Sequence, residues 1–423
     1  MKKTNQPAII PFTAYQKLVI LILALTQFTV ILDFMIMNPL GDLIKKAFVL
    51  SPSQFAKAVS AYAFSAGIAG LLTAGFADRF DRKKLLLFFY TGFIAGTVFC
   101  GLAQSYWELM GARIVTGLFG GVVGSIGFAI IADLFSMELR GRVMGFIMMG
   151  FGASQVLGIP IGIYIAYHSN WHMPFLVTAG LAAGITVLIA LKMQPVNKHL
   201  AAQHDRTALQ HIWHTVKKRN YLIGFAATSL LQIGGYMMMP FGTIFALNNL
   251  RISSNDLTGL FIISGLCSVI IMPLIGRMSD RIDKFKIFVV ASLWMMIIVV
   301  PYTHLGVTPF WEVMIFNILI MIGVLNRMVP ANAITSAVPD VADRGSYMSV
   351  SAALQQVAGG IGSLIAGWIV LQKTPDSPME HYSTLGYTVV GISALCILLM
   401  YRVNVMIKKK PVPQKKAEVE LAV

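Results

Sequence analysis

Twelve apolar stretches, each about as long as a bilayer is thick, set what this chain can fold into. They fall near 16–38, 54–77, 84–103, 107–134, 142–167, 172–193, 220–247, 256–277, 285–304, 309–333, 345–371 and 384–405. An α-helix rises about 1.5 Å per residue, so roughly 20 residues cross a hydrocarbon core about 30 Å thick. Each stretch therefore predicts one spanning helix, and Pro, Gly and charge clusters punctuate the gaps. Only 12% of the 423 residues are charged and 57% are hydrophobic. Soluble domains carry about twice that charge, and a chain this apolar cannot cover itself with polar surface. The expected fold class is an all-α membrane protein with twelve transmembrane helices. Cys100, Cys267 and Cys396 lie far apart in apolar stretches, which argues against a redox framework or a zinc site.

The formal charge of +15 raises the question of nucleic acid, and position answers it. With a cytoplasmic N-terminus, 26 of the 33 Lys and Arg fall in cytoplasmic segments, 5 in outer segments, and Arg113 and Arg327 inside helices. This is a positive-inside pattern with both termini in the cytoplasm. The tail lysines, Lys408, Lys409, Lys410, Lys415 and Lys416, are read as lying against anionic headgroups. No nucleic-acid partner is expected. Lys2 and Lys3 precede an apolar run of full spanning length with no small-residue cleavage site, so the first stretch is read as an uncleaved helix.

The longest polar connection, Gln194 to Asn220, divides the chain near its middle. Across it the halves repeat. At an offset of 204, Trp107-Glu108 matches Trp311-Glu312, Arg140-Gly141 matches Arg344-Gly345, Met144 matches Met348 and Gly158 matches Gly362; Asp78-Arg79 matches Asp280-Arg281 at 202. The expected organisation is an N-terminal six-helix bundle over 1–193, a cytoplasmic linker over 194–219, a C-terminal six-helix bundle over 220–405 and a basic tail over 406–423. Paired bundles of this kind belong to carriers that rock around a midplane site.

These motifs carry a resemblance. The loop Ala74-Gly75-Phe76-Ala77-Asp78-Arg79-Phe80-Asp81-Arg82-Lys83-Lys84 resembles the signature cytoplasmic loop of the major facilitator superfamily, and residues 276–286 look like its second copy. The family pattern places Gly where this chain has Ala74 and Asp81, and again where it has Asp283. Arg113 with Gly117 and Gly120 is similar to the fourth-helix motif, and Gly158-Ile159-Pro160-Ile161-Gly162 to a shifted form of the antiporter motif in the fifth helix. The likeness covers essentially the whole chain and is closest to the drug:proton antiporter and sugar-efflux branch. It implies a bacterial inner-membrane carrier.

The same resemblance implies a cytoplasmic latch that favours the outward-facing state. In it Asp78, held by Arg79 or Arg82 and by Asp133, meets the N-terminal end of the eleventh helix, where free N–H groups and a partial positive charge favour a carboxylate. Asp280 and Arg281 are the second copy. A helix cap with plain positive-inside topology is the competing reading.

Of 18 acidic residues seventeen lie at helix ends, in loops or in tails, and only Asp33 lies well inside a predicted helix. Burying a carboxylate there costs about 2.5–3.5 kcal/mol, so it needs a partner or a proton. Arg113 is the candidate partner, because both residues lie roughly 7–9 Å inside the outer ends of their helices at 1.5 Å per residue. Burial favours the neutral acid and a guanidinium favours the carboxylate, so the pair is a candidate proton-coupling site; a static structural ion pair is the alternative. Arg327 has no intramembrane acid in its own half. It is read either as bonding backbone carbonyls near Pro330 or as facing an anionic substrate group.

Tyr62, Gln155, Gln232, Tyr236, Met237 and Gln355, with Arg327, are the candidate substrate-cavity residues; each also has an ordinary packing role. The 24 methionines suit a permissive apolar pocket, and equally a membrane filler. Gly158, Pro160 and Gly162 are expected to kink the fifth helix, since proline removes a backbone bond. Small-residue faces in the fourth helix (Gly117, Gly120, Gly121, Gly124, Gly127) and the eleventh (Gly359, Gly360, Gly362, Gly367) are read as packing surfaces. His211 and His214 stand three apart but lack further ligands for a metal; with Ile212, Trp213, Lys217 and Lys218 they read as an interfacial amphipathic segment. No Gly-Lys or His-Glu dipeptide occurs, which removes a phosphate-binding loop and a helix-borne zinc hydrolase.

The expected function is proton-coupled efflux of a small amphiphilic or drug-like molecule by alternating access, without cofactor or metal and without enzymatic chemistry. The expected partners are a small-molecule substrate, protons and the lipid bilayer, with the chain acting as a monomer. A sugar or metabolite carrier is the second reading, and a membrane sensor or lipid-handling protein without coupled flux is the third.

Overall fold

A computed structural model describes residues 12–73, 76–197, 200, 215–340 and 343–409; the side chains of Asp78, Met137, Glu138, Met272, Pro273, Gly276, Arg277, Ser279, Asp280 and Arg281 stand outside the described set. So do the linker histidines His199, His204, His211 and His214 and the last three tail lysines. Fifteen α-helices are described, and singly or joined end to end they give twelve segments long and apolar enough to span a membrane. The first half holds α1 (Ala14–Ile36), α2 (Gly41–Phe48), α3 (Pro52–Thr73), α4 (Arg82–Leu102), α5 (Tyr106–Leu134), α6 (Met137–Ala153), α7 (Ile159–His168) and α8 (Met173–Lys192). The second holds α9 (Arg219–Met238), α10 (Gly242–Asn248), α11 (Ser254–Arg281), α12 (Lys284–Thr303), α13 (Phe310–Thr335), α14 (Arg344–Ile369) and α15 (Tyr382–Lys408). With an even number of spans, α1 begins and α15 ends on one face, called near here; the opposite face is far.

Short polar residues start the helices. Thr13 and Gln16 close a capping box on α1, and Ser105 and Ser253 accept from Glu108 and Asp256 backbone amides on α5 and α11. Asp81 and Asp283, at an offset of 202, cap α4 and α12. A carboxylate that fills the free N–H groups of a first turn explains why these positions tolerate aspartate.

Two departures from unbroken spans matter. The stretch 220–247 is not one helix: it breaks after Met238, around Pro240, and resumes as the short α10. The equivalent break after α1 gives α2, whose C-cap Val49 sits at φ 51°. The fifth span, between α6 and α7, also departs from expectation. Its irregularity is a π-turn over Ser154–Gly158 rather than a bare proline kink, with the Ile159 N–H donating to Ser154 O. Pro160 follows immediately and has no N–H to give, so the wider register absorbs the missing bond.

The halves meet along α3 and α14, and α11 lies against the π-turn and α7. Glycines make the first seam close. A Cβ on Gly67 would fall 2.9 Å from Ala353 O, and one on Gly367 would fall 2.4 Å from Ala56 Cβ. In lipid, where apolar burial no longer drives helix association, such backbone proximity carries the packing. One buried apolar cluster, containing Ile36, Phe55, Phe241, Ile244 and Tyr382, crosses both halves on the far side. On the near side each half has its own cluster, with Leu71 of α3 packed on the edge of the second-half one.

Candidate functional site

Asp33 lies near the far end of α1 and Arg113 near the start of α5, so the antiparallel spans bring them to one level. Arg113 Nη1 donates to Asp33 Oδ2 at 2.8 Å, and both side chains have zero exposure. Thr97 and Cys100 of α4 flank the pair. Asp33 Oδ1 and Arg113 Nε and Nη2 have no hydrogen-bond partner. A buried pair satisfied on one edge only is costly to hold charged, which makes it responsive to water or a proton. The guanidinium also stacks over the Tyr62 ring, 4.6 Å from its centroid, a cation–π contact strengthened by desolvation. Gly117 permits this arrangement, because a Cβ there would fall 2.4 Å from Tyr62 O.

An aromatic run leads from the pair into the other half. Phe34 packs between Tyr62 and Tyr236, with ring centroids 5.0 and 6.0 Å away. Tyr236 rests on Gly359. Gln232 Nε2 donates to Gln355 Oε1 at 3.0 Å, and Gln355 donates to Ser351. Gln155, in the π-turn, donates to Met35 Sδ at 3.1 Å, while Met237 is fully buried. These six candidates thus fall around α1, α3, α9 and α14 and the π-turn. Arg327 does not join them: its polar neighbour is the Cys396 thiol of α15. Gly158 and Gly162 pack on Leu32 and Ile36, on either side of Asp33, where added Cβ atoms would lie 2.9 and 2.5 Å away. Pro160 is buried between them.

The far face is bolted across the halves by groups the sequence did not single out. Asn248 of α10 donates to Asp42 of α2 at 3.1 Å, Lys46 bridges Asp42 at 2.9 Å and Asp376 at 2.8 Å, and Lys45 donates to Gln372. Burial pushes the Lys45 ammonium down to about 8; the two partner carboxylates hold Lys46 above its ordinary value despite partial burial. A cavity of ≈ 340 Å³ lies here, lined by residues including Asp42, Lys46, Tyr167, Arg251 and Asp376. The available signal was Asp42 three and four residues before Lys45 and Lys46, in a far-face connection with no other lysine.

On the near face Arg82 pairs with Asp133 at 3.1 Å and donates to Ala77 O at 2.9 Å, while Arg79 is exposed. Asp78, Asp280 and Arg281 have described backbones only. The start of α14 carries Asp343 at its N-cap, without a side-chain cap bond; this carboxylate takes a hydrogen bond from Tyr221 at 2.8 Å and pairs with Lys218, whose ammonium it holds above its usual value.

Two six-helix bundles in one membrane chain, joined along α3 and α14 and holding a buried ion pair, define a membrane protein of the carrier class. The profile of the Major Facilitator Superfamily matches residues 23–324 and 225–422, and the chain belongs to that family. It is 24% identical over 407 residues to an uncharacterised MFS-type transporter of Bacillus subtilis, YceJ, covering 93% of this chain and 97% of that one. It is 22% identical to a probable sugar efflux transporter of Helicobacter pylori, over 85% and 87% of the two chains. Among solved structures the D-xylose-proton symporter superposes with a TM-score of 0.76 at 17% identity, over 94% of this chain and 100% of that one. The chain is a multi-pass membrane transporter.

Proposed function

We propose that this transporter exports small amphiphilic or drug-like molecules in exchange for protons, as a monomer in a bacterial inner membrane, with the near face and both termini in the cytoplasm. The observation that carries the reading is the half-satisfied Asp33–Arg113 pair beside an aromatic run that reaches both halves. When the site is wetted from one side, the carboxyl exchanges its proton; when it closes, Arg113 and the bound molecule compete for it. The excess of Lys and Arg on the near face supports the orientation. A proton crossing about 150 mV supplies about 3.5 kcal/mol, enough for roughly a 300-fold substrate gradient. The near-face residues Asp78, Arg79, Arg82, Asp133, Asp280 and Arg281 would latch the outward-facing form, and the far-face bolt would hold the other. Tyr62, Gln155, Gln232, Tyr236, Met237 and Gln355 would touch the molecule carried, and the π-turn with Gly158, Pro160 and Gly162 would let the fifth span flex.

A sugar or metabolite carrier is the second reading, favoured by the hydrogen-bonded Gln232–Gln355 pair and by the name of the Helicobacter pylori relative. Flux measured in proteoliposomes under an imposed pH gradient separates the readings. Drug-like efflux that collapses with the gradient supports the proposal; sugar flux replaces it with the second; the absence of any coupled flux leaves a sensor or lipid-handling role and sinks both.

A further inference from the structure

Arg327 is the exception among the buried charges. Asp33 and Arg113 hold each other, Asp42 holds Lys46, Lys45 meets Gln372, Arg82 meets Asp133 and Asp343 meets Lys218. Arg327 is only 5% exposed, takes part in no ion pair among the described residues, and its Nε has no partner. The Cys396 thiol beside it donates to Ala227 O at 3.7 Å and offers the guanidinium only a weak sulfur acceptor. One turn from Cys396, on the same side of α15, the fully buried Ser393 hydroxyl is also without a partner. The buried residues packed around it on α9, α13 and α15 include Ala227, Ala331 and Met400, all fully buried and apolar. Donors are collected here and, among the described residues, no carboxylate pairs with them.

A guanidinium is always charged and is not left bare in a low-dielectric interior without a counter-charge. Arg327 stands eight residues from the near end of α13, about 12 Å along the helix, on the side where the apolar clusters of the halves are separate. We propose that Arg327, with the Ser393 hydroxyl, forms a binding site for a single oxyanion carried on an apolar body, such as an amphiphilic monocarboxylate, entering from the near face. The guanidinium supplies two parallel N–H donors that fit a carboxylate edge, and the apolar walls take the remainder. This deepens the proposed function, on which it rests, by naming a charge class for the molecule carried. An anionic lipid headgroup offers the same oxyanion.

The test is thermal melting of the full purified chain with sodium benzoate, with benzamide as its neutral isostere, and in nanodiscs of phosphatidylglycerol or phosphatidylcholine. Benzoate should raise the melting temperature and benzamide should not, and Arg327→Gln should weaken apparent benzoate affinity about tenfold or more, with Arg327→Lys retaining part of it. Stabilisation by phosphatidylglycerol alone, lost in Arg327→Gln, supports the oxyanion site and assigns it to lipid. Equal response to benzamide, an unchanged response in Arg327→Gln, or no response to either anion overturns it. Without ligand, Arg327→Met should melt no lower than the native chain, since an unpaired buried charge gives way to an apolar group; a large fall means the chain itself satisfies the guanidinium, and the site is refuted. Melting does not require proton-coupled flux, so its outcome is independent of the transport assay above.

Discussion

Arg113 and Asn317 stand 204 residues apart at equivalent places in α5 and α13, and only the first carries charge. Arg113 meets Asp33 and the Tyr62 ring. Asn317 accepts from Ser264 at 3.2 Å, and Ser264 is the position 202 residues after Tyr62. The place of Asp33 is taken, again 204 on, by the buried Met237. At these equivalent places, therefore, the two repeats hold one ionisable centre between them. A carrier with one such centre is expected to move at most one proton through it per cycle.

Asp33→Asn keeps the shape of the side chain and removes its ionisation. Exchange driven by an imposed pH gradient should be lost in proteoliposomes while protein abundance stays near normal. Retained gradient dependence would take the proton away from this residue.

Gly117→Ala should loosen the site by geometry alone. The added methyl has Tyr62 O at 2.4 Å and Ser65 Oγ at 2.0 Å, so α5 must lift from α3 at a cost of about 1–3 kcal/mol. Gly111→Ala on the same helix has nothing within 4 Å and is the control. The expected result is a lower melting temperature and reduced transport for the first, with neither for the second.

The far-face bolt should respond to alkaline pH. In the shut form burial lowers Lys45 from 10.5 to about 8, against the attraction of Asp42 and with the repulsion of Lys46. Opening returns the ammonium to water and raises its proton affinity, so the open form binds the proton more tightly. Raising the pH from about 8 toward the ordinary lysine value near 10.4 should then favour the shut form, and below 8 the dependence should flatten. Thiol labelling of Leu247→Cys, at the cavity wall, should fall across that window; Lys45→Met should abolish the fall.

Asp78→Asn tests the near-face latch. If the latch favours the outward-facing form, the substitution should raise near-side labelling of cysteines placed on α9 and α14. Unchanged labelling removes it.

The sequence reported hydropathy well and pairing unevenly. Long apolar runs identified the spans because spanning length is a one-dimensional property, and the offset repeat placed equivalent loops. Asp33 and Arg113 could be paired by depth because both sit a countable distance from a helix end. The helix α2 was missed, being too short and too polar to register as a span, and α10 was read as the end of one unbroken helix over 220–247. The bolt was overlooked for another reason: Asp42, Lys45 and Lys46 form a local charge cluster, but their partners lie far off in sequence, Gln372 being 327 residues from Lys45. The π-turn at Ser154–Gly158 leaves no compositional trace beyond the proline that follows it, and the placing of Arg327 beside Cys396 of α15 depends on tertiary packing.

The glycine seam between α3 and α14 has a mechanical consequence. Backbones that touch through hydrogen atoms have few interlocked side chains to unmesh, so one helix can roll on the other with little loss of contact. In the proposed cycle the far-face bolt and the near-face latch would act at opposite ends of a lever, with Gly67, Gly360 and Gly367 at its fulcrum. Enlarging these residues should leave each half folded and freeze the rocking between them.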